Sequence, residues 1–221
     1  MRRVIILGCG NFGQTVHHFF VHDSDYEVVG FTVDEQFLET GSFLGLPVVA
    51  FEEVQERFPP DDHDLFVAVG LRDLNRQRAA KVKEAEAKGY HLATYISSRA
   101  TVPPGLELGP NSWIMEASHV HPYASIGRDV IIWSRSTVGF KSRVNDHCWI
   151  SAGLLGDAVA VGEGTFIGLG ATVASFVAVG RHNVIGAGAL ILKDTKDFQI
   201  YRGHGSAPSR VPSTRFAKFN G

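Results

Sequence analysis

An aliphatic residue at every sixth position of the second half, and a glycine-punctuated alternation of strand-like and helix-like segments in the first, predict the fold. The expected architecture is an α/β N-terminal Rossmann-like domain followed by an all-β left-handed parallel β-helix. The boundary is placed near Tyr95, so that residues 1–95 form the first domain and 96–221 the β-helix with its C-terminal tail.

In the first domain, Arg3 to Leu7 reads as a buried strand, and Gly8-Cys9-Gly10-Asn11-Phe12-Gly13 leads into a helix ending near His22. Strands follow at Val28 to Val33 and Leu46 to Val49, then a short helix at Glu52 to Phe58 and a strand at Leu65 to Val69. A charged helix from about Asp73 to Lys88 and a strand at His91 to Ile96 complete a small parallel sheet with helices on both faces. Gly8, Gly10 and Gly13 satisfy G-x-G-x-x-G between strand and helix, with acidic Asp34 about twenty residues later. Backbone N–H groups at such a helix start suit phosphates, and Asp34 suits a ribose hydroxyl. Asn11 and Gly70 complete the candidate nucleotide-binding set. Three readings stay open: a nucleotide or nucleotide-sugar site, a nicotinamide-dependent enzyme, and a merely structural turn. Fewer than a hundred residues precede the repeat, which is short for a dinucleotide oxidoreductase.

The repeat runs through Ile96, Val102, Leu108, Ile114, Val120, Ile126, Ile132, Val138, Val144 and Ile150. After one five-residue step it resumes at Leu155, Val161, Ile167, Val173, Val179, Ile185 and Ile191. Gly often follows the aliphatic residue, as at Gly109, Gly127, Gly139, Gly156 and Gly162. A small residue often lies four places on, as at Ser118, Ser136, Ser142 and Cys148. Three short sides, each with one aliphatic and one small residue inward, close a triangular coil whose strands pair with those of the next. The stack is expected to be roughly 27 Å long at about 4.8 Å per coil. The glycines are expected at corners, supplying backbone angles that other residues resist.

A formal net charge of −2 gives no electrostatic footprint for nucleic acid. Cys9 and Cys148 lie in different segments and imply neither a disulfide framework nor a metal site. The apolar run after Met1-Arg2-Arg3 is too short for a signal peptide and no stretch suits a membrane span, so a cytoplasmic protein is expected. Trp133 replaces the usual Gly and is expected to point outward, into a subunit interface or groove. Broad apolar sides make a trimer the expected assembly. The tail carries Lys193, Lys196, Arg202, Arg210, Arg215 and Lys218, which suit CoA phosphates, a solvated end or a trimer contact equally.

The layout resembles the bacterial sugar O-acyltransferase family, of the sialic acid O-acetyltransferase and nucleotide-sugar N-acetyltransferase type. The resemblance rests on Val4-Ile5-Ile6-Leu7-Gly8-Cys9-Gly10, Gly45-Leu46-Pro47-Val48, Phe66-Val67-Ala68-Val69-Gly70 and Asn145-Asp146-His147-Cys148-Trp149-Ile150-Ser151. Gly186-Ala187-Gly188-Ala189 and the tail Tyr201-Arg202-Gly203-His204-Gly205-Ser206-Ala207 extend it over nearly the whole chain. It implies a homotrimer with acyl-CoA in the groove between prisms, acetyl-CoA as default donor, and the nucleotide part of the sugar on the first domain. It also implies direct transfer: a sugar amine or hydroxyl attacks the thioester, a base takes its proton, and a backbone N–H stabilises the oxyanion.

The family's base is a His followed by an acidic residue, and these positions fall on Phe140 and Lys141. Phe cannot take a proton. His121, one coil earlier and beneath the neighbouring position, and His147, near the following corner, are candidate replacements. Alternatively a neutral amine attacks first and loses its proton later, or the prism is non-catalytic or repurposed and only binds a nucleotide sugar. The resemblance further assigns the oxyanion contact to Gly156, and contacts to the pantetheine arm to Gly156, Leu169 and Ala187.

Overall fold

The computed structural model describes residues 2–208, 210 and 213. In the first domain, β1 (Arg2–Leu7) lies at the heart of a five-stranded sheet, between β2 (Tyr26–Val33) and β5 (His63–Val67), parallel to both. β4 (Leu46–Ala50) extends the sheet parallel to β2, and β3 (Ser42–Phe43) caps that edge antiparallel. The period-two alternation of β1 divides its apolar run between two layers. Val4 and Ile6 meet Phe12, Val16 and Phe20 of α1 (Asn11–His22) on one face. Ile5 and Leu7 meet Val54 of α2 (Val54–Arg57), together with Val82 and Ala85 of α3 (Arg76–Ala87), on the other.

Three features differ from the sequence reading, the first being β3, an antiparallel edge on a sheet expected to be parallel. α3 begins at Arg76 rather than Asp73, because Asp73, Leu74 and Asn75 have φ of 50°, 48° and 66°, a left-handed turn that no α-helix can contain. The strand expected at His91 to Ile96 splits. Leu92 bridges to Leu65 of the α/β sheet, whereas Tyr95–Ile96 pairs with Trp113–Ile114 of the repeat.

The repeat folds as a left-handed parallel β-helix of three sheets, with seven, five and four strands. Each strand is two residues long, the second pointing inward, so Ile114, Ile132, Val138, Ile150, Val161, Ile167 and Ile185 form one continuous buried core. Successive coils pair eighteen residues apart, Trp113 with Ile131 and Ile131 with Trp149. The five-residue step appears as a shortened corner at Ser151-Ala152-Gly153, after which Trp149 pairs with Phe166. The inward small residues serve the backbone as well as the core: Ser142 Oγ donates to Gly156 O at 2.9 Å and accepts from Val159 N at 3.0 Å.

The expected role of the repeat glycines is corrected. Left-handed backbone at the corners belongs largely to other residues, among them Asn111, Tyr123, Asp129, Lys141 and His147, with φ of 61°, 61°, 52°, 56° and 59°. Each such residue costs about 1–2 kcal/mol, and is held by the coils above and below. Gly156 and Gly162 are outside that region of φ. A Cβ there would lie 2.7 Å from Ser175 N and 2.6 Å from Arg181 N on the next coil. These glycines let stacked corners approach closely.

The α/β domain packs on the seven-stranded face of the prism. Fully buried Trp113 stacks on Tyr95 at 4.1 Å and meets Phe20 and Phe66 edge-on or tilted at 5.3 and 5.2 Å. Trp133 does point outward, but what it meets is this chain's own α1: it stacks on Trp149 and lies 5.8 Å from Phe12. Among the described residues, no helix is long and apolar enough to cross a membrane. Arg215 and Lys218 of the expected cationic tail lie outside the described residues.

Candidate functional site

At the carboxyl end of the parallel strands a cavity of about 870 Å³ opens between the loops after β1, β2 and β5. Gly8, Gly10, Asp34 and Gly70, four of the residues the sequence nominates for a nucleotide, line it. Gly8 has φ of 125°, and a Cβ there would lie 2.8 Å from Ala68 O. Gly13 lies underneath, where any side chain would collide with the Gly8 carbonyl, so its role is to dock α1 on β1. Asn11, the first residue of α1, is exposed and is not part of the lining.

Sequence reasoning missed the residues that α3 and its leading loop bring to this cavity: Arg72, Gln77, Ala80 and Lys81. Gln77 and Lys81 share a helix face at i, i+4 spacing. Lys81 Nζ lies 2.7 Å from both Asp34 Oδ1 and Glu84 Oε2. Burial works to lower the Lys81 pKa, but the two carboxylates outweigh it and push it up. The cavity therefore carries a fixed cation beside the carboxylate that suits a ribose. In the same loop, burial pushes the Cys9 thiol up, away from a nucleophilic thiolate.

The second candidate region is the prism corner at residues 139–142. Phe140 is exposed and packs edge-on against Tyr123 at 5.4 Å, with Lys141 Nζ 5.3 Å from its ring centre. Its N–H donates to Asp157 Oδ1 at 2.9 Å. His121 reaches the neighbouring coil, its N–H donating to Val138 O at 2.9 Å, and its ring stacks on His119 at 4.1 Å. Gly156 stacks on Gly139, but its N–H donates to Val173 O at 2.9 Å. An oxyanion contact from this amide has to displace that ladder bond. Leu169 and Ala187 sit exposed at another corner, one coil apart, with Gly188 N–H donating to Leu169 O at 2.8 Å. Neither the Leu169 nor the Ala187 N–H has a hydrogen-bond partner among the described residues.

His147 stands elsewhere. It lies at the corner beneath α3, where its Nδ1 is 2.8 Å from Asp129 Oδ2. Fully buried Asp129 also accepts from Arg78 Nε and Asn111 Nδ2, each at 2.8 Å, and Arg78 Nη1 donates to Asn75 Oδ1 at 2.8 Å. The structure thus brings His121 to the coil next to Phe140 and ties His147 into the joint between domains, beside a cavity of about 140 Å³ that includes His182 and Glu163.

Residues 3–84 match the PglD N-terminal domain family. The perosamine N-acetyltransferase of Caulobacter crescentus, solved in complex with CoA and GDP-perosamine, is similar at 27% identity with a TM-score of 0.81, over 92% of this chain and 94% of that one. The acetyltransferase domain of PglB from Neisseria gonorrhoeae FA1090 is similar at 27% identity with a TM-score of 0.81, over 95% of this chain and 100% of that one. That domain is also solved with acetyl coenzyme A. A curated relative, the bifunctional protein GlmU of Ruthia magnifica, is 24% identical over 128 residues, and the chain spans 28% of its length. The resemblance to the sugar O-acyltransferase family therefore holds over both domains: a PglD-type N-terminal domain carried on a hexapeptide-repeat prism of the sugar N-acetyltransferase kind.

Proposed function

We propose that the chain is an acyl-CoA-dependent acyltransferase acting on an amino group or hydroxyl of a sugar or nucleotide-linked sugar. Acetyl-CoA is the default donor, and the active form is a cytoplasmic homotrimer with the donor in the groove between prisms. The observation that carries this reading is the pairing, in one chain, of the Gly8–Asp34–Lys81 cavity with a prism whose exposed Leu169 and Ala187 amides, on successive coils, have no partner among the described residues. The similar proteins solved with CoA and GDP-perosamine, and with acetyl coenzyme A, support both halves of it. Exposed Leu154, Leu190 and Leu192 along one prism side support a trimer.

In this reading the nucleotide lies across the Gly8–Gly10 loop, with Asp34 accepting from a ribose hydroxyl and Lys81 and Arg72 facing the phosphates. The sugar nucleophile attacks the thioester beside Phe140. His121 is the replacement base closest in register to that corner, and an amine acceptor that attacks before losing its proton needs none. Phe140 and the engaged Gly156 amide favour a second reading, a prism that binds a nucleotide sugar without transfer.

Thermal shift with acetyl-CoA, with nucleotide sugars and with NAD separates the classes. Stabilisation by both acetyl-CoA and a nucleotide sugar is expected. A nucleotide sugar alone favours the non-catalytic reading, and NAD alone overturns both. Turnover of His121→Asn and His147→Asn then tests the base. If neither falls below the parent, neither His is the base.

A further inference from the structure

On the coil side of Phe140 away from Gly156, residues 103–109 and 122–126 line a pocket of about 880 Å³. Pro103, Pro104, Pro122 and Tyr123 give it an apolar wall, Leu108 and Ile126 border it from the prism core, and among the described residues Glu107 is its single charged lining residue. Tyr123 belongs to two features at once. It lines this pocket, and it meets the Phe140 ring at 5.4 Å. Phe140 is in turn fixed by its N–H bond to Asp157 and covered by the Lys141 side chain.

We infer that this pocket is an acyl subsite, which takes the chain of an acyl-CoA with an apolar acyl group longer than acetyl, with Phe140 and Tyr123 as its entrance. The inference rests on the acyltransferase reading and names its donor. With the donor in the groove between prisms, the pantetheine arm runs past the Leu169 and Ala187 amides of one protomer to the thioester at the Phe140 corner of its neighbour. The acyl chain continues towards earlier coils of that neighbour, where Tyr123 and the pocket stand. An aromatic side chain where a proton acceptor is expected suits hydrocarbon. The reaction is ordinary acyl transfer. The acceptor N–H or O–H attacks the thioester carbonyl, the new C–N or C–O bond forms, the C–S bond breaks, and the sulfur takes the proton and leaves as CoA thiol.

Calorimetric titration of the full chain with CoA, acetyl-CoA, butyryl-CoA and hexanoyl-CoA, without acceptor, tests it. Butyryl-CoA is expected to bind roughly tenfold tighter than acetyl-CoA, from two further buried methylenes. Ser125 is exposed on the pocket's rim, so Ser125→Trp is expected to abolish that gain while leaving CoA itself within about twofold, a change too small to mark as a lost contact. Acyl-CoAs that bind alike, or a butyryl preference that survives Ser125→Trp, overturn the subsite while the acyltransferase reading stands. Failure of CoA itself to bind sinks that reading and the subsite with it.

Discussion

The carboxylate of Asp129 lies 2.8 Å from Nδ1 of His147, one coil away, and both residues hold left-handed corners of the prism. The same carboxylate neutralises Arg78, which α3 inserts from the other domain and which is fully buried. Asp129 is therefore the point at which the two domains are pinned in register. Removing one member of a buried pair strands the other without water or counter-ion, which costs about 3–5 kcal/mol. Asp129→Ala is expected to lower Tm by roughly 10 °C, given about 2–4 °C per kcal/mol at this size. His147→Ala loses a hydrogen bond worth about 1 kcal/mol and leaves Asp129 still paired. Calorimetry showing the two variants equally stable would contradict this assignment.

Lys81 faces the α/β cavity from a helix face it shares with Gln77, and its ammonium is held by Asp34. Lys81→Ala is expected to weaken binding of a nucleotide sugar by about tenfold or more, the value of one charge-assisted contact. CoA binding, on the prism, should not change. Titration of the variant with each ligand separately checks this, and equal losses for both would show misfolding instead.

The prism was legible because its signal is local and repeated: each inward aliphatic residue reports the same environment six residues later. The strand–Gly8–Gly10–helix turn was legible for a similar reason, since one short stretch encodes it. What escaped the sequence depends on contacts between distant segments. α3 reads only as a charged helix, yet it buries Arg78 in the domain joint and turns Lys81 into the cavity. Nothing within residues 73–75 announces a left-handed turn; it is fixed by Asn75, which bonds across to Arg78 and to Gly164 O. Trp133 faces outward as its repeat position predicts, but the surface that covers it, this chain's own α1 rather than a subunit interface or groove, is a property of the whole chain.

The corner glycines offer a direct check on that distinction. Gly162→Ala places a Cβ 2.6 Å from Arg181 N, so it is expected to cost about 1–3 kcal/mol through overpacking. Ala158 has φ of 54°, and Ala158→Gly relieves a left-handed Cβ, a gain of up to about 1 kcal/mol. Opposite shifts in Tm support close approach as the reason for glycine. Stabilisation by Gly162→Ala would refute it.

Stability in acid depends on Asp23, at the carboxyl end of α1. Burial works to raise its pKa, but hydrogen bonds from Ser98 N–H, the Tyr95 hydroxyl at 2.6 Å and the Ser97 hydroxyl at 2.9 Å hold it at about 2. A carboxylate depressed in the folded state adds stability above its unfolded value near 3.8, and loses it as pH falls through 2. The contribution is about 1–2 kcal/mol after allowing for solvent screening. The unfolding free energy of Asp23→Asn should be lower than the parent's at pH 6, the difference shrinking below about pH 4 and vanishing as pH falls through 2. A constant difference across that window would contradict the assignment.

Phe140→His with Lys141→Glu tests whether proton transfer limits the reaction at this corner. The double substitution puts back the proton acceptor and acidic partner that the resemblance expects there. The corner can receive it, since Phe140 and Lys141 are both exposed. If transfer to a hydroxyl acceptor waits on deprotonation, a positioned base is expected to raise kcat by about 10²-fold or more and to introduce an ionisation near pH 6–7 into the rate profile. KM for the acyl-CoA should change much less. An unchanged kcat, with both ligands still bound, would mean that the acceptor is an amine that attacks before it loses its proton. The aromatic side chain at 140 then costs the enzyme no base, and its place at the corner is explained by what it packs against.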